Sequence, residues 1–326
     1  MTSGTYTVGM MSSYVGLNPC PVDWLWHQTP NPFGQWKNIQ LQARSPQPDM
    51  LLMYNFTSFP VPPPHRLNWF RYRKQQAQYQ AGLTAMPQKL RGVPKERILF
   101  LLREPPLDEV VAKNRWFYQQ AENYCAYVSG PDNDAPTPDY MPAIWYVKAS
   151  FQDLNEMPPP SKQRSCSWIT SGIARTENHR KRLAFLHQLR DSHLDFDLYG
   201  RGLPDSAQPQ GELSNKLRGM APYYYNLSIE NYADNEWYVS EKLWDALLAW
   251  CLPIYYGGTA ADKLLPPGSF LRLPSLDEKG IQFIQEVTAS ADAWYDAKEA
   301  IAEARQIILH KLNLMEWLSS YTQNFA

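Results

Sequence analysis

SEKLWDALLAWCLPIYYGG, residues 240–258, has the pattern of a helix followed by a short buried strand. Its apolar side chains recur at i, i+3, i+4 and i+7 and form one helical stripe of Leu243, Ala246, Leu247 and Trp250. Ser240 is a favoured N-cap residue, so the helix is predicted to begin beside it. The run LPIYY then reads as a strand that ends at Gly257.

The rest of the second half repeats this alternation. SWITSG (167–172), LDFDLYGRG (194–202) and YYYNLSIEN (223–231) are predicted strands, and HRKRLAFLHQL (179–189) is a predicted helix with leucines at three-residue steps. In the first half, DMLLMYNF (49–56) and RILFLLREPP (97–106) are continuous apolar runs, which are typical of parallel strands covered on both faces. The sequence therefore predicts a doubly wound α/β fold. Such folds bind ligands at the carboxyl ends of the strands, beside helix N-termini.

A proline-rich segment divides the chain. MPPPSKQRS, residues 157–165, carries three consecutive prolines, which do not fit a helix or a central strand. We therefore predict an N-terminal domain over residues 1–157 and a C-terminal domain over residues 165–326. The length of 326 residues suits two domains of about 150 residues each.

Charge balance, cysteine spacing and the apolar runs indicate which classes of protein the sequence does not fit. The 31 Lys and Arg nearly balance the 32 Asp and Glu, which argues against a sequence-independent nucleic-acid binder. The four cysteines are widely spaced and are expected to be reduced thiols. The first basic residue is Lys37, and the longest apolar run is too short for a membrane span, so we expect no signal peptide, no transmembrane segment and a cytoplasmic protein. The sequons at Asn55 and Asn226 are then expected to be accidental.

The most informative segment is IENYADNEWYVSEKLWDA, residues 229–246, which runs from a strand end into the first turn of a helix. A diphosphate at that turn would meet free backbone amides, the helix dipole and the charge of Lys242. Glu241 has the chemistry to accept hydrogen bonds from ribose hydroxyls. The alternative is structural: Ser240 is then only an N-cap and Glu241 an ordinary first-turn acid.

This segment resembles the α1,3-fucosyltransferases of glycosyltransferase family ten. The similarity lies in Ile229-Glu230-Asn231, in Tyr238-Val239-Ser240-Glu241-Lys242, in residues 252–257 and in LPPGSF at 265–270. The resemblance implies a GT-B fold, with two Rossmann-like domains facing a cleft and GDP-fucose held by the C-terminal one. It implies that Glu241 binds the ribose, that Lys242 and Tyr238 meet the diphosphate, and that Glu230 and Asn231 lie at the donor.

A second part of the resemblance concerns the strand that ends Trp168-Ile169-Thr170-Ser171 and the strand that ends Tyr199-Gly200-Arg201. Ser171 is expected at the donor. Between the two strands, the alignment places Arg182 on the family's diphosphate-binding arginine. It needs one inserted residue, so Arg180 remains a competitor, and a solvated basic helix start is the structural alternative.

Glu104 is the candidate catalytic base. It follows the predicted strand ILFLL and precedes Pro105-Pro106, as in the family's glutamate-proline stretch. A sugar hydroxyl is a poor nucleophile, so a carboxylate must take its proton as it attacks the anomeric carbon opposite the diphosphate. The resemblance therefore implies an inverting transfer of L-fucose, of the α1,3 type, to an oligosaccharide or glycoconjugate. The structural alternative is a surface turn.

No metal site is expected. Asp132-Asn133-Asp134 spells an acidic DxD triplet, but it lies far from the donor motifs, and strand alternation explains Asp195 and Asp197 better. Because Arg182 and Lys242 supply cationic charge, the donor GDP-fucose is expected to need no cofactor, and a divalent ion is expected to be at most stimulatory. Two other functions remain open at this point, a GT-B transferase for another nucleotide sugar and a non-catalytic carbohydrate-binding protein.

Overall fold

The computed structural model describes residues 4–13, 24–64 and 69–325. Within them the chain forms two separate β-sheets with helices packed against them, one sheet from each half of the sequence. The predicted α/β class is confirmed. No helix among the described residues is long and apolar enough to cross a membrane.

The first sheet has seven strands in the described part of the chain, in the order β2-β3-β1-β4-β5-β6-β7. All neighbouring strands are parallel except β2 and β3. Both apolar runs predicted as strands are central: β4 lies between β1 and β5, and all its side chains are buried. The strands are β1 (Tyr6–Met11), β2 (Gln35–Trp36), β3 (Ile39–Leu41), β4 (Met50–Tyr54), β5 (Ile98–Leu101), β6 (Tyr127–Gly130) and β7 (Thr137–Pro138). The helices of this half are α1 (Trp69–Lys89), α2 (Val111–Ala121) and α3 (Phe151–Glu156).

The second sheet contains five parallel strands among the described residues, in the order β12-β11-β10-β8-β9. Its four longer strands overlap the predicted ones, although β8 begins and ends three residues earlier than predicted. The strands are β8 (Arg164–Ile169), β9 (Asp197–Tyr199), β10 (Tyr223–Ile229), β11 (Leu252–Tyr256) and β12 (Leu271–Arg272). The helices are α4 (Glu177–Asp191), α5 (Glu241–Leu248), α6 (Ala260–Leu264), α7 (Glu278–Thr288), α8 (Asp292–Ile307) and α9 (Leu314–Tyr321).

Helix α4 begins earlier than the sequence pattern indicated. Thr176 is its N-cap and accepts a hydrogen bond from the His179 backbone, so the helix starts at Glu177. Arg182 therefore lies in the second turn instead of opening the helix. Helix α5, in contrast, begins as predicted after its N-cap Ser240.

The end of the chain returns to the first sheet. After α8, a π-helical turn (Ile308–Leu312) leads into α9, where Glu316 accepts a hydrogen bond from the Trp36 indole at 2.7 Å. The rings of Tyr127 and Trp317 also pack, with centroids 5.5 Å apart. The proline segment predicted as a linker lies between α3 and β8. The domain limits 1–157 and 165–326 stay predictions, and α9 packs on the sheet of the opposite half.

The cysteines in the described residues are buried free thiols, Cys125, Cys166 and Cys251. Cys20 lies outside the described residues. The two sequon asparagines, Asn55 and Asn226, are buried, which leaves no room for a glycan on either amide.

Candidate functional site

The predicted donor residues gather at the carboxyl edge of the second sheet. Glu230 and Asn231 follow β10 directly, Ser171 comes two residues after β8, and Glu241 is the first residue of α5. Parallel strands end at the same edge, so residues distant in sequence meet there. All lie in the described part of the chain, and each takes part in the contacts given below.

Glu230 organises the entry to α5. Its buried carboxylate accepts hydrogen bonds from the Ser240 backbone N–H at 2.8 Å and from the Ser240 hydroxyl at 2.7 Å. The ammonium of Lys242 lies 3.0 Å from the Glu230 carboxylate and 3.1 Å from the Ser240 hydroxyl. Burial alone would lower the pKa of Lys242, but Glu230 and Glu241 outweigh it and raise this pKa, so Lys242 is charged.

Arg182 is buried between β8 and β10. Its guanidinium donates to the Asn231 side-chain oxygen and, at 2.9 Å, to the Ser171 carbonyl. Its Nε is buried with no hydrogen-bond partner among the described residues. Burial lowers the pKa of Arg182 to about 10, partly offset by Glu230, so the group remains cationic near neutral pH. Arg180 is exposed and donates to carbonyls of its own loop, so Arg182 is the arginine directed at the strand ends.

An ion pair joins the two halves of the molecule. Arg103 directly follows the ILFLL run. Its guanidinium donates to the Glu241 carboxylate. Its other terminal nitrogen donates to the Tyr146 hydroxyl at 2.7 Å. Both side chains are largely buried, with 16% and 19% of the Arg103 and Glu241 side chains exposed. The pair therefore holds the end of β5 against the start of α5.

The charges around Glu241 keep it ionised. Burial would raise the pKa of this carboxyl, but Arg103, Lys242 and Lys216 together lower it well below its usual range. Lys216 lies 3.9 Å from Glu241 and 2.7 Å from the buried Asp245. Burial likewise opposes the charge of Arg103, yet Glu241 raises the Arg103 pKa above its ordinary value.

Glu104 is oriented by Asn55, which follows β4. The Asn55 amide donates to the Glu104 carboxylate at 3.4 Å, and its oxygen accepts from the Arg103 backbone N–H at 3.3 Å. Asn55 stood out in the sequence only as a sequon. Because β4 and β5 are adjacent and parallel, their ends bring Asn55 and Glu104 side by side.

Tyr238 is buried where the carboxylates converge. Its pKa is raised well above the ordinary value, first by burial and then by Glu230 and Glu241, with a further contribution from Glu104. The phenol is therefore neutral, and it lies near carboxylates from both halves of the molecule. Arg182, Lys242 and Arg103 supply the positive charges that balance these carboxylates.

Close packing fixes the strand end behind these residues. A Cβ added at Gly257 would lie 2.2 Å from the Tyr255 hydroxyl and 2.9 Å from Cγ of Glu230. Arg272 donates to the Gly257 carbonyl at 2.6 Å and to the Gly258 carbonyl at 2.9 Å. Only glycine lets the chain after β11 pass this close to Glu230.

The acidic triplet near β7 has structural partners. Asp132 accepts from the Tyr118 hydroxyl at 2.7 Å and from the Asp134 backbone at 2.8 Å, while Asp134 pairs with Arg115 at 2.8 Å. Asn133 accepts a hydrogen bond from the Trp237 indole at 2.9 Å, so the triplet lies beside the loop before α5 and not far from the donor motifs as expected. In residues 4–13, 24–64 and 69–325 no group of three His, Cys, Asp or Glu side chains has the geometry to hold a metal ion.

Four residues at this site were not predicted from the sequence: Arg103, Asn55, Tyr146 and Lys216. Arg103 adjoins the candidate base, so its position at a strand end was the one available signal. The others reach the site from separate loops, and no local pattern distinguishes them.

The sequence of the second half is similar to known fucosyltransferases. Residues 159–295 match the family model described as glycosyltransferase family 10 (fucosyltransferase) C-term. Human alpha-(1,3)-fucosyltransferase 4 is 33% identical over 120 residues, which is 36% of this chain and 21% of that protein. A 4-galactosyl-N-acetylglucosaminide 3-alpha-L-fucosyltransferase of Pongo pygmaeus is 24% identical over 185 residues, 53% of this chain and 49% of that protein. The chain thus spans half or less of the length of these relatives. The resemblance seen in the sequence is confirmed.

The overall architecture has a close structural counterpart. The structure of an alpha-glucosyltransferase in complex with UDP-glucose and DNA containing an abasic site aligns with a TM-score of 0.59, at 9% identity and over 99% of both chains. At that identity the likeness concerns the fold alone. Together with the two parallel sheets, it confirms the predicted GT-B fold.

Proposed function

We propose that the protein is an inverting fucosyltransferase, which transfers L-fucose from GDP-fucose to a glycan hydroxyl in an α1,3-type linkage. The match of residues 159–295 to the family model of glycosyltransferase family 10 supports this proposal. The proposed acceptor is an oligosaccharide or a glycoconjugate. The name of the Pongo pygmaeus relative gives 4-galactosyl-N-acetylglucosaminide as its acceptor, and this is the first acceptor class to test.

The observation that carries the proposal is the buried Arg182 beside Lys242. A buried guanidinium with an orphaned Nε has the capacity to donate to one more acceptor. Lys242 has three donors, and Glu230 and Ser240 engage two of them among the described residues. The diphosphate of a nucleotide sugar would satisfy both cations, since its oxygens are strong acceptors that gain charge as the glycosidic bond breaks.

Glu241 would hold the ribose of the same donor. An ionised carboxylate has about four lone-pair sites, so it can accept from ribose hydroxyls while it stays paired with Arg103. Asn231 and Tyr238 border the same space from the strand end and from the loop before α5.

Glu104 would act on the acceptor. Its carboxylate takes the proton of the glycan hydroxyl, and the hydroxyl oxygen attacks the anomeric carbon opposite the diphosphate. The bond from that carbon to GDP breaks, and its electron pair leaves with the diphosphate near Arg182 and Lys242. Glu104 ends protonated, and the sugar is transferred with inversion.

No cofactor is proposed. Arg182 and Lys242 would carry the charge of the leaving diphosphate, so a divalent ion would be at most stimulatory.

The test is a transfer assay with GDP-fucose and an N-acetyllactosamine-type acceptor, in which product is identified by mass spectrometry and anomeric configuration by NMR. The expected product is a fucoside of inverted configuration, with GDP-mannose and UDP-glucose inactive. Transfer from UDP-glucose instead would show that the donor is not GDP-fucose. The absence of transfer from any donor by a protein that binds GDP would reduce the protein to a binding module.

A further inference from the structure

Helix α1 begins with an exposed cluster of aromatic and basic residues. Trp69 is 59% exposed and Phe70 is 78% exposed, and Tyr72 is also exposed. Their neighbours are Arg71, Arg73 and Lys74. The two rings meet edge to face at 5.0 Å, and the Arg73 guanidinium lies 4.4 Å from the Trp69 ring. We call residues 69–74 the α1 patch.

The patch lies at the opposite end of α1 from the buried residue of that helix. Met86, near the other end of α1, is the buried residue that anchors the helix. At 1.5 Å per residue, Met86 lies about 25 Å along the axis from Trp69. Pro60 lies against the second half of the helix, since a Cβ at Gly82 would lie 3.1 Å from it. All six residues of the patch are exposed.

Single exposed aromatics are ordinary on soluble proteins, and Phe33 and Tyr295 are examples here. The α1 patch differs because its aromatic residues are adjacent and alternate with cations. Helix α1 contains Arg71, Arg73, Lys74 and Lys89 and no acidic residue, although the whole chain has a net charge of −1. Its surface is therefore strongly basic and partly apolar at one end.

We propose that the α1 patch docks on a lipid surface with anionic headgroups. Trp and Tyr are favoured at the boundary between headgroups and acyl chains, and Arg and Lys are attracted to anionic lipids. Since no described helix can span a bilayer, the contact is peripheral. Because α1 follows β4, whose carboxyl end carries Asn55 beside Glu104, docking would bring the first domain to a membrane.

The test is co-sedimentation of the full chain with vesicles of pure phosphatidylcholine or of phosphatidylcholine with 30% phosphatidylglycerol. The parent is expected to bind the anionic vesicles, to bind less as salt rises, and to bind neutral vesicles weakly. Trp69→Ala/Phe70→Ala should lower the partition coefficient about tenfold or more. Arg71→Gln/Arg73→Gln/Lys74→Gln should lower it by at least about tenfold at low salt.

Controls on the second domain are Tyr295→Ala and Lys279→Gln/Lys298→Gln/Lys311→Gln, which change an exposed aromatic residue and three exposed cations outside the patch. They should bind like the parent, and all variants should keep the parental melting temperature and GDP affinity. Failure of the parent to bind anionic vesicles at low salt would overturn the proposal. So would unchanged binding by the α1 variants, or a dimer in ultracentrifugation that Trp69→Ala/Phe70→Ala abolishes, since a second copy would then cover the patch.

Discussion

Replacing Arg103 by methionine tests the ion pair that joins the two halves of the molecule. Methionine keeps much of the side-chain volume and removes the charge, so Glu241 is left buried with Lys242 and Lys216 as its remaining cations. The Tyr146 hydroxyl also loses its 2.7 Å donor.

The magnitude follows from the burial of the pair. Removing one partner of a buried ion pair costs about 3–5 kcal/mol, and the two remaining lysines favour the lower end of that range, about 3 kcal/mol. The unfolding entropy of about 2.1 cal/mol/K per residue converts this into a fall in Tm of about 4 °C for a chain of 326 residues. Arg115→Met, which breaks an exposed pair with Asp134, should leave Tm nearly unchanged.

The pH dependence has a definite sign. The pKa of Glu241 is lowered in the folded protein, so its stabilisation is complete above the ordinary glutamate pKa of 4.5 and is lost as pH falls through the folded-state value. The difference in stability between the parent and Arg103→Met should therefore be constant near neutral pH and shrink under acid conditions.

The assay is thermal and urea unfolding of the parent, Arg103→Met, Glu241→Gln and the double variant. The double-mutant cycle should give a coupling energy above about 1 kcal/mol, because either single change leaves a buried charge without its partner. A coupling energy near zero, or a pH-independent effect of Arg103→Met, would show that the contact does not stabilise the fold.

Three further outcomes are expected. Glu104→Gln should lower kcat by about 10²–10⁴ with GDP affinity within a few-fold, because a general base acts on the acceptor alone; Glu96→Gln, an exposed acid before β5, is the control, and a near-parental kcat for Glu104→Gln would rule out this base. Gly257→Ala should lower both Tm and GDP affinity, because its Cβ would displace the Tyr255 hydroxyl or Glu230; parental values for both would show that the strand end yields without cost. Activity should survive EDTA, whereas complete loss restored by Mn²⁺ would return attention to Asp132 and Asp134.

Local patterns in the sequence predicted most of the second sheet. The apolar runs of β8, β10 and β11 and the stripe of α5 are short-range signals, and each predicted an element that the structure has. The bounds differ at β8, which begins three residues earlier than predicted, and at α5, which ends at Leu248, so that Trp250 lies outside the helix. The predicted start of α4 was wrong because the N-cap Thr176 has no apolar pattern beside it to mark the first turn. The packing of α9 on the first sheet was not predictable either, since an amphipathic helix has the same pattern whichever sheet it packs on.

The candidate site was predictable from the helix start at Ser240, which indicated Glu241 and Lys242, and from the family resemblance, which added Arg182. The structure brings these three residues to one edge of the second sheet. Arg103 and Glu241 are 138 positions apart and Asn55 and Glu104 are 49 apart, so their contacts depend on the tertiary fold. Neither contact can be predicted from a local sequence pattern.

The most direct test of the account is calorimetric titration of GDP into the parent, Lys242→Ala, Arg182→Ala and Arg180→Ala. Hydrogen bonds to charged groups contribute about 1.5–3 kcal/mol, so loss of Lys242 or Arg182 should weaken GDP binding about 10- to 150-fold. Arg180→Ala removes an exposed arginine of the same helix and should bind GDP like the parent. Parental GDP affinity in folded Lys242→Ala and Arg182→Ala would contradict the placement of the donor diphosphate at this edge of the second sheet.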